Sequence, residues 1–181
     1  MSTLWNEAIG SINQYVTKLK KTDNVHMAVF DNEYDVIREC KTKDWKNVTD
    51  EDATPRGVTA LYDSVGKIMA QAEKDDAKKT VLVVMTDGYE NASKEHTQTS
   101  IKAKVKQFED KGWEVLFLGA NFDAVETVSG SVGVVSSKTL NYGAGNFARG
   151  MDMLATASAS YATMGTAINF TDADKASLQT K

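Results

Sequence analysis

Two short segments hold the residue types best placed to do chemistry. In Val81-Leu82-Val83-Val84-Met85-Thr86-Asp87-Gly88 a continuous apolar run ends in an acid and a glycine. A run of this kind reads as a strand buried on both faces, and Gly88 lets the chain turn away at once. Asp87 therefore falls where a central strand leaves the core, the end at which open α/β sheets place ligand sites. The second segment, Thr54-Pro55-Arg56-Gly57-Val58-Thr59-Ala60-Leu61-Tyr62-Asp63, starts a helix just before that strand. Taken singly, Asp87-Gly88 is a turn and Thr59 a helix N-cap. Carboxylates and hydroxyls are also the hard oxygen donors that Mg²⁺ takes, six at a time and with several waters among them, and such a site needs neither His nor Cys.

Other chemistry is thin. His26 lies within an expected strand and reads as structural; His96 lies at a helix start and reads as exposed. No Cys or carboxylate accompanies either at metal-ligand spacing. Gly-x-Ser-x-Gly does not occur, so an elbow-type serine hydrolase has no support. Cys40, at the end of a hairpin strand, reads as an inert buried thiol. Asp31, Glu33 and Asp35 alternate on a hairpin and read as a solvated face sooner than a cation site. Asn141-Tyr142-Gly143-Ala144-Gly145-Asn146 lacks the glycine spacing and the Lys-Ser/Thr signature of a phosphate loop and reads as a flexible connection.

The elements that must position these residues follow from apolar spacing. Leu4, Trp5, Ala8, Ile9, Ile12, Val16 and Leu19 recur every three or four residues, which predicts an amphipathic helix over Leu4 to Lys21. Val25 to Phe30 and Tyr34 to Cys40 read as a hairpin around Asp31-Asn32-Glu33, and Lys41 to Pro55 as a polar loop. A helix is expected over Val58 to Glu73, then the strand ending at Asp87. Further along come a helix over Glu95 to Lys111, a buried strand over Trp113 to Leu118 closed by Gly119, a short helix near Asp123 to Ser129 and a short strand around Gly133 to Val135. The Ala-, Ser-, Thr- and Met-rich stretch Met151 to Ala167 reads as a helix packed closely on the sheet. This alternation predicts an α/β fold with an open, mostly parallel, Rossmann-like sheet flanked by helices, with one antiparallel hairpin strand.

The totals agree with a single domain. The chain has 181 residues, 41% hydrophobic and 25% charged, enough to bury a sizeable core. A net charge of -4 argues against a general nucleic-acid binder. One cysteine excludes an intrachain disulfide. No stretch approaches membrane-spanning length, and Met1 to Glu7 lacks a basic-then-apolar leader pattern. The expectation is a cytoplasmic protein with no membrane or nucleic-acid partner.

The chain resembles a von Willebrand factor A (vWA) domain, and among these the small stand-alone bacterial and bacteriophage ones. Gly57-Val58-Thr59-Ala60-Leu61 at a helix start resembles the family's metal-binding threonine loop, and Thr86-Asp87-Gly88 its metal-binding aspartate loop. The hairpin between the first helix and the threonine loop sits where the family has one. Residues 1–170 would then be one vWA-like domain and residues 171–181 a C-terminal tail. The family's metal site, the MIDAS, has a third part, Asp-x-Ser-x-Ser, which ends the first strand just before the first helix. Here the helix begins almost at once, and Met1 falls where the residue after the second serine would be. The family's first, central strand and its Asp and Ser ligands have no counterpart in this sequence. Three explanations stand open: an upstream segment in a longer product, a strand supplied by another chain or a copy of this one, or a sheet closed around the gap.

The resemblance implies a docking site, with no nucleophile and no general base, and so no enzyme. A Mg²⁺ ion would be held by Thr59 directly and by Asp87 directly or through water, and a partner's Asp or Glu would complete its coordination. Without the upstream Asp and the two Ser ligands, affinity for the ion is expected to be very weak. Arg56, Gly57, Gly88, Tyr89, Glu90 and Asn91 would offer partner contacts on the same edge, where loops carry function disproportionately. The expected function is a protein-recruiting module of vWA type with an incomplete MIDAS-like site. The alternative is a metal-free assembly or structural module completed by a strand from another chain, as a homo-oligomer or a strand-complemented complex. A metal-dependent phosphatase rests on Asp87 alone, and no second acid lies two residues away.

Overall fold

The computed structural model describes residues 2–54, 57–86, 88–120, 130–143 and 145–179. Its elements in chain order are α1 (Ser2–Thr17), β1 (Asn24–Phe30), β2 (Tyr34–Lys41), α2 (Leu61–Lys74), β3 (Val81–Thr86), α3 (Gln98–Asp110), β4 (Glu114–Ala120), β5 (Thr139–Tyr142), α4 (Phe147–Met164) and α5 (Asp172–Ser177). The expected α/β architecture is present, divided between two sheets. β1 and β2 form an antiparallel hairpin, and β3, β4 and β5 form a parallel sheet in that order.

β4 shows why the apolar runs here are continuous and not alternating. Val115 and Phe117 enter one core, with Leu61, Val65 and Met69 of α2 and Ile101, Val105 and Phe108 of α3. Leu116 and Leu118 enter a second core, with Leu140 of β5 and Met151, Leu154 and Tyr161 of α4. A strand covered by helices on both faces is apolar through its middle, while Glu114 at the start of β4 is buried against Lys138. The result is three layers: α2 and α3, then the strands, then α4 with α1. Tyr15 of α1 donates to Ser158 Oγ of α4 at 2.9 Å, and Lys18 pairs with Asp152. Among the described residues no helix is long and apolar enough to cross a membrane.

Several boundaries differ from the sequence expectation. α1 ends at Thr17, short of Lys21, and α2 starts at Leu61, three residues after Val58. The strand expected around Gly133 to Val135 is absent: Gly133 has φ +82° and lies against Lys102, while Val132 and Val134 are plugged into the first core. The strand is instead Thr139–Tyr142, which takes in the first two residues of the segment expected to be a flexible connection. Alternating burial of Val132 and Val134 imitates a strand locally, but a left-handed residue between them breaks the ladder. The expected short helix over Asp123 to Ser129 lies outside the described residues. Residues 172–177, expected within a tail, form α5, capped by a reciprocal Thr171–Asp174 box, and Leu178 after it is fully buried in the second core.

The polar loop before α2 is tied down by α1. Asn13 donates to Val48 O at 2.8 Å and accepts from Val48 N at 2.9 Å, and Trp5 Nε1 donates to Ala53 O at 2.8 Å. These bonds answer buried backbone groups of a loop that has no ladder of its own.

Candidate functional site

The site is built at the start of α2. Ala60 occupies the N-cap and offers no side-chain acceptor, so the first N–H groups of the helix need partners from elsewhere. They find them in the loop after β3. Tyr62 N–H donates to Glu90 Oε2 at 2.9 Å, and Asp63 N–H to Ser93 Oγ at 3.1 Å. The Glu90 carboxylate also accepts from Ala92 N, Ser93 N and Ser93 Oγ, at 2.7–2.9 Å. In return Asp63, on the first turn of α2, accepts from Lys94 N at 2.7 Å, Glu95 N at 3.0 Å and His96 N at 2.7 Å. Helix start and loop are thus clamped in both directions, each by one carboxylate.

The electrostatics follow from this geometry. Asp63 is 8% exposed. Burial works against its charge, yet the backbone N–H groups of Lys94, His96 and Glu95 outweigh burial and hold the carboxyl below its ordinary range. Glu90 behaves alike: burial raises its pKa, and the bonds from Ser93, Tyr62 and Ala92 bring it down further than burial lifts it. Both acids also sit near the positive end of the α2 dipole.

Thr59 lies beside this clamp. Its N–H donates to Asn91 Oδ1 at 2.9 Å, and Asn91 N–H donates back to Thr59 O at 3.0 Å. Its hydroxyl packs against Gly88, where a Cβ would come within 2.7 Å of Oγ1. Gly88 N–H is held by Thr86 Oγ1 at 3.1 Å, which closes the turn at the end of β3. From the other side Ala60 N–H donates to Asp31 O at 2.8 Å, while Asp31 Oδ1 accepts from Glu33 N at 2.6 Å. Asp31 is 6% exposed. It is a buried turn acid that ties the hairpin to the start of α2, where the sequence suggested a solvated face.

Of the residues singled out in the sequence, Gly57, Thr59, Gly88, Tyr89, Glu90 and Asn91 come together on this edge. Asp87 and Arg56 lie outside the described residues. Glu90 and Asn91 spend their side-chain oxygens inside the loop. Tyr89 and Val58 stand out from it, at 57% and 44% exposure. Asp63 and Ser93 were not singled out, although an acid in the first turn of an uncapped helix is a readable signal. Among the described residues no three His, Cys, Asp or Glu side chains are grouped to hold a metal. His26 pairs with Asp75 at 3.0 Å. His96 lies over Gly66, where a Cβ would meet its ring at 2.3 Å.

No family model matches the chain, and no curated protein sequence matches it. Among solved structures it is similar to proximal thread matrix protein 1 from the mussel byssus, with a TM-score of 0.57 and 11% identity over 82% of this chain and 38% of that one. It is also similar to VWA2, a paralog of ArnB from Sulfolobus acidocaldarius, with a TM-score of 0.53 and 13% identity over 83% of this chain and 38% of that one. The chain spans 38% of the length of each. Likeness at this identity speaks for the fold, which is vWA-like.

Proposed function

We propose that this chain is a protein-binding module that presents the edge formed by the ends of β1 and β3 and the start of α2 to a protein partner. The observation that carries this reading is the pairing of a rigid base with an apolar rim. The two mutual Thr59–Asn91 bonds and the two clamped carboxylates fix the loop, and Val58 and Tyr89 are exposed on it. A preorganised aromatic and an aliphatic side chain on a fixed loop lose little entropy on docking. The vWA-like fold supports the same class of role.

A divalent ion at Thr59 and Asp87 belongs to this proposal as a secondary feature. Among the described residues the donor set does not fit a full oxygen shell: Thr59 brings a hydroxyl, while the neighbouring acids Asp63 and Glu90 are committed to backbone N–H groups. Partner binding is accordingly not routed through the ion.

A photo-reactive amino acid at position 89 tests the reading. The expected result in extracts is one dominant cross-linked protein, lost with Val58→Glu and retained in EDTA. Cross-linking from position 89 no more selective than from Met164, which is 70% exposed on α4, would sink it. Loss of the product in EDTA and with Asp87→Ala would restore a metal-completed contact.

A further inference from the structure

A slot one strand wide runs through the middle layer of the protein. Among the described residues β1 pairs only with β2, and β3 only with β4. No backbone hydrogen bond joins β1 to β3. Their free edges line one cavity of about 460 Å³. Val65 and Ala72 of α2 and Phe108 of α3 cover it on one side, and Val16 of α1 and Met151 of α4 on the other.

The two strands run in the same direction. Asp31, just after β1, bonds to Ala60 before α2, and Gly88, just after β3, packs on Thr59. At the far end His26 of β1 meets Asp75, where α2 stops and the chain turns toward β3. α2 therefore bridges the slot and is tied to both banks.

Burial records what the slot lacks. β4, paired along both edges, holds Val115, Leu116, Phe117 and Leu118 at 1% exposure or less. In β3, Val81, Val83 and Met85 stay half-buried, and in β1 no residue is buried at all. Apolar strands between two helical layers, each with an open edge, leave a row of N–H and C=O groups without ladder partners, and each such group is costly. What answers both rows at once is an extended backbone.

The walls specify its side chains. Alternate residues of an inserted strand would face the α2–α3 layer and the α1–α4 layer, and both are mainly apolar. The charged residues lining the cavity are Lys20, Asp23, His26, Asp75 and Lys79. His26 is met by Asp75 at 3.0 Å, Lys79 by Tyr161 O at 3.1 Å, and Asp23 by the Lys20 backbone N–H at 3.1 Å, while Lys20 itself is exposed. The rest of the lining carries no charge, so the complement is mainly uncharged. β1 has 7 residues and β3 has 6, which sets its length. Every strand among the described residues is already in a ladder, so none of the described strands of a second copy is spare.

We propose that the slot receives one extended segment of a different polypeptide, about six uncharged and mainly aliphatic residues long, which pairs with β1 and β3 together. This is a surface apart from the loop edge and does not depend on it.

The probe is an acetylated, amidated peptide with the core Val-Ile-Val-Val-Leu-Val between lysines, added to the full chain. The expected result is one-to-one binding with amide exchange slowed about tenfold or more at residues 24–30 and 81–86, and unchanged in α3. A peptide with proline in mid-core, which cannot continue a central strand, should not bind. Ala72→Trp, which fills the slot, should abolish binding in a protein whose circular dichroism is intact. Equal binding of the proline peptide would overturn the proposal, as would binding without protection of both strands. So would protection already present in a peptide-free monomer, which means a closed sheet. Protection that rises with protein concentration as the mass doubles would assign the slot to a second copy and overturn it too.

Discussion

The loop edge and the slot beneath it treat backbone polarity in opposite ways. At the loop edge the first N–H groups of α2 are answered by Glu90 and Ser93 of the loop, those of residues 94–96 by Asp63 of α2, and those of residues 92 and 93 by Glu90 within the loop. In the slot two strand edges meet no ladder partner among the described residues. Loops are ordinarily the adaptable part of an α/β protein and strands the fixed part. Here the polar loops are the fixed part, and they hold the strands apart. Through Asp31, His26, Thr59 and the Asp63–Glu90 clamp, α2 is fastened to both banks of the slot. Closing the slot would require α2 to let go of one of them.

The strongest way to break this contrast is Asp63→Ala. It removes the acceptor of three backbone N–H groups at a site 8% exposed and should cost on the order of 3 kcal/mol. Urea denaturation measures it. Asp63→Asn, which keeps the size and one acceptor oxygen, should cost less. A loss for Asp63→Ala within about 0.5 kcal/mol, the range of an ordinary surface change, would mean that the clamp holds nothing in place.

Acid should act on the same region. Asp63 and Glu90 both have pKa values lowered in the folded protein. Their contribution is therefore fully present above the unfolded values, near 4, and is lost as pH falls through the folded ones. Stability should therefore fall between pH 6 and pH 3 as the two carboxylates take up protons. Asp52, Glu73 and Asp174 are lowered as well, so the informative quantity is the difference between the wild-type and Asp63→Asn curves. The variant should show the shallower acid limb, and coincident limbs would place the acid sensitivity elsewhere.

Much of this was readable from residue order. The run Val81 to Thr86 and the apolar Val115 to Leu118 announce strands covered on both faces, and the structure places them side by side in a parallel ladder. The spacing of Leu61, Val65 and Met69 gives the buried face of α2. What was not readable is reciprocity across distance. Glu90 and Asn91 look like solvated loop residues until α2 is folded against them, because their partners Tyr62 and Thr59 lie 28 and 32 residues away. Asp31 likewise looks like one of three hairpin acids until Ala60 is brought to it. The strand placed at Gly133 to Val135 failed for a local reason: buried Val132 and Val134 carry the right period, and a glycine at φ +82° between them prevents pairing.

A smaller change probes the outer wall of the clamp. Gly66 on α2 leaves room for His96, and a Cβ there would stand 2.3 Å from Nε2 and 2.4 Å from Cδ2. The ring has to swing away from α2, at a residue whose backbone N–H binds Asp63. Gly66→Ala should cost about 1–2 kcal/mol in spite of the better helix propensity of alanine. Amide exchange should quicken in residues 88–96 and stay unchanged in β4. A stabilised variant would show that His96 is free to leave.

The smallest expected effect discriminates most finely between the two regions, because it compares the same enlargement in a closed and an open place. Ala155 of α4 is fully buried in the seam between α1 and α4, and Ala72 of α2 lines the slot. Three added carbons at Ala155 have nowhere to go, and Ala155→Leu should cost about 1–3 kcal/mol through displaced neighbours. At Ala72 the same carbons enter the cavity beside Val65 and Val16. Ala72→Leu should therefore fall within about 0.5 kcal/mol of wild type, since burial of new apolar surface offsets the lost rotamer freedom. Thermal denaturation of the pair measures the difference directly. Equal penalties would mean that the slot is filled or shut in solution, and the opposition between a closed edge and an open middle would fall with it.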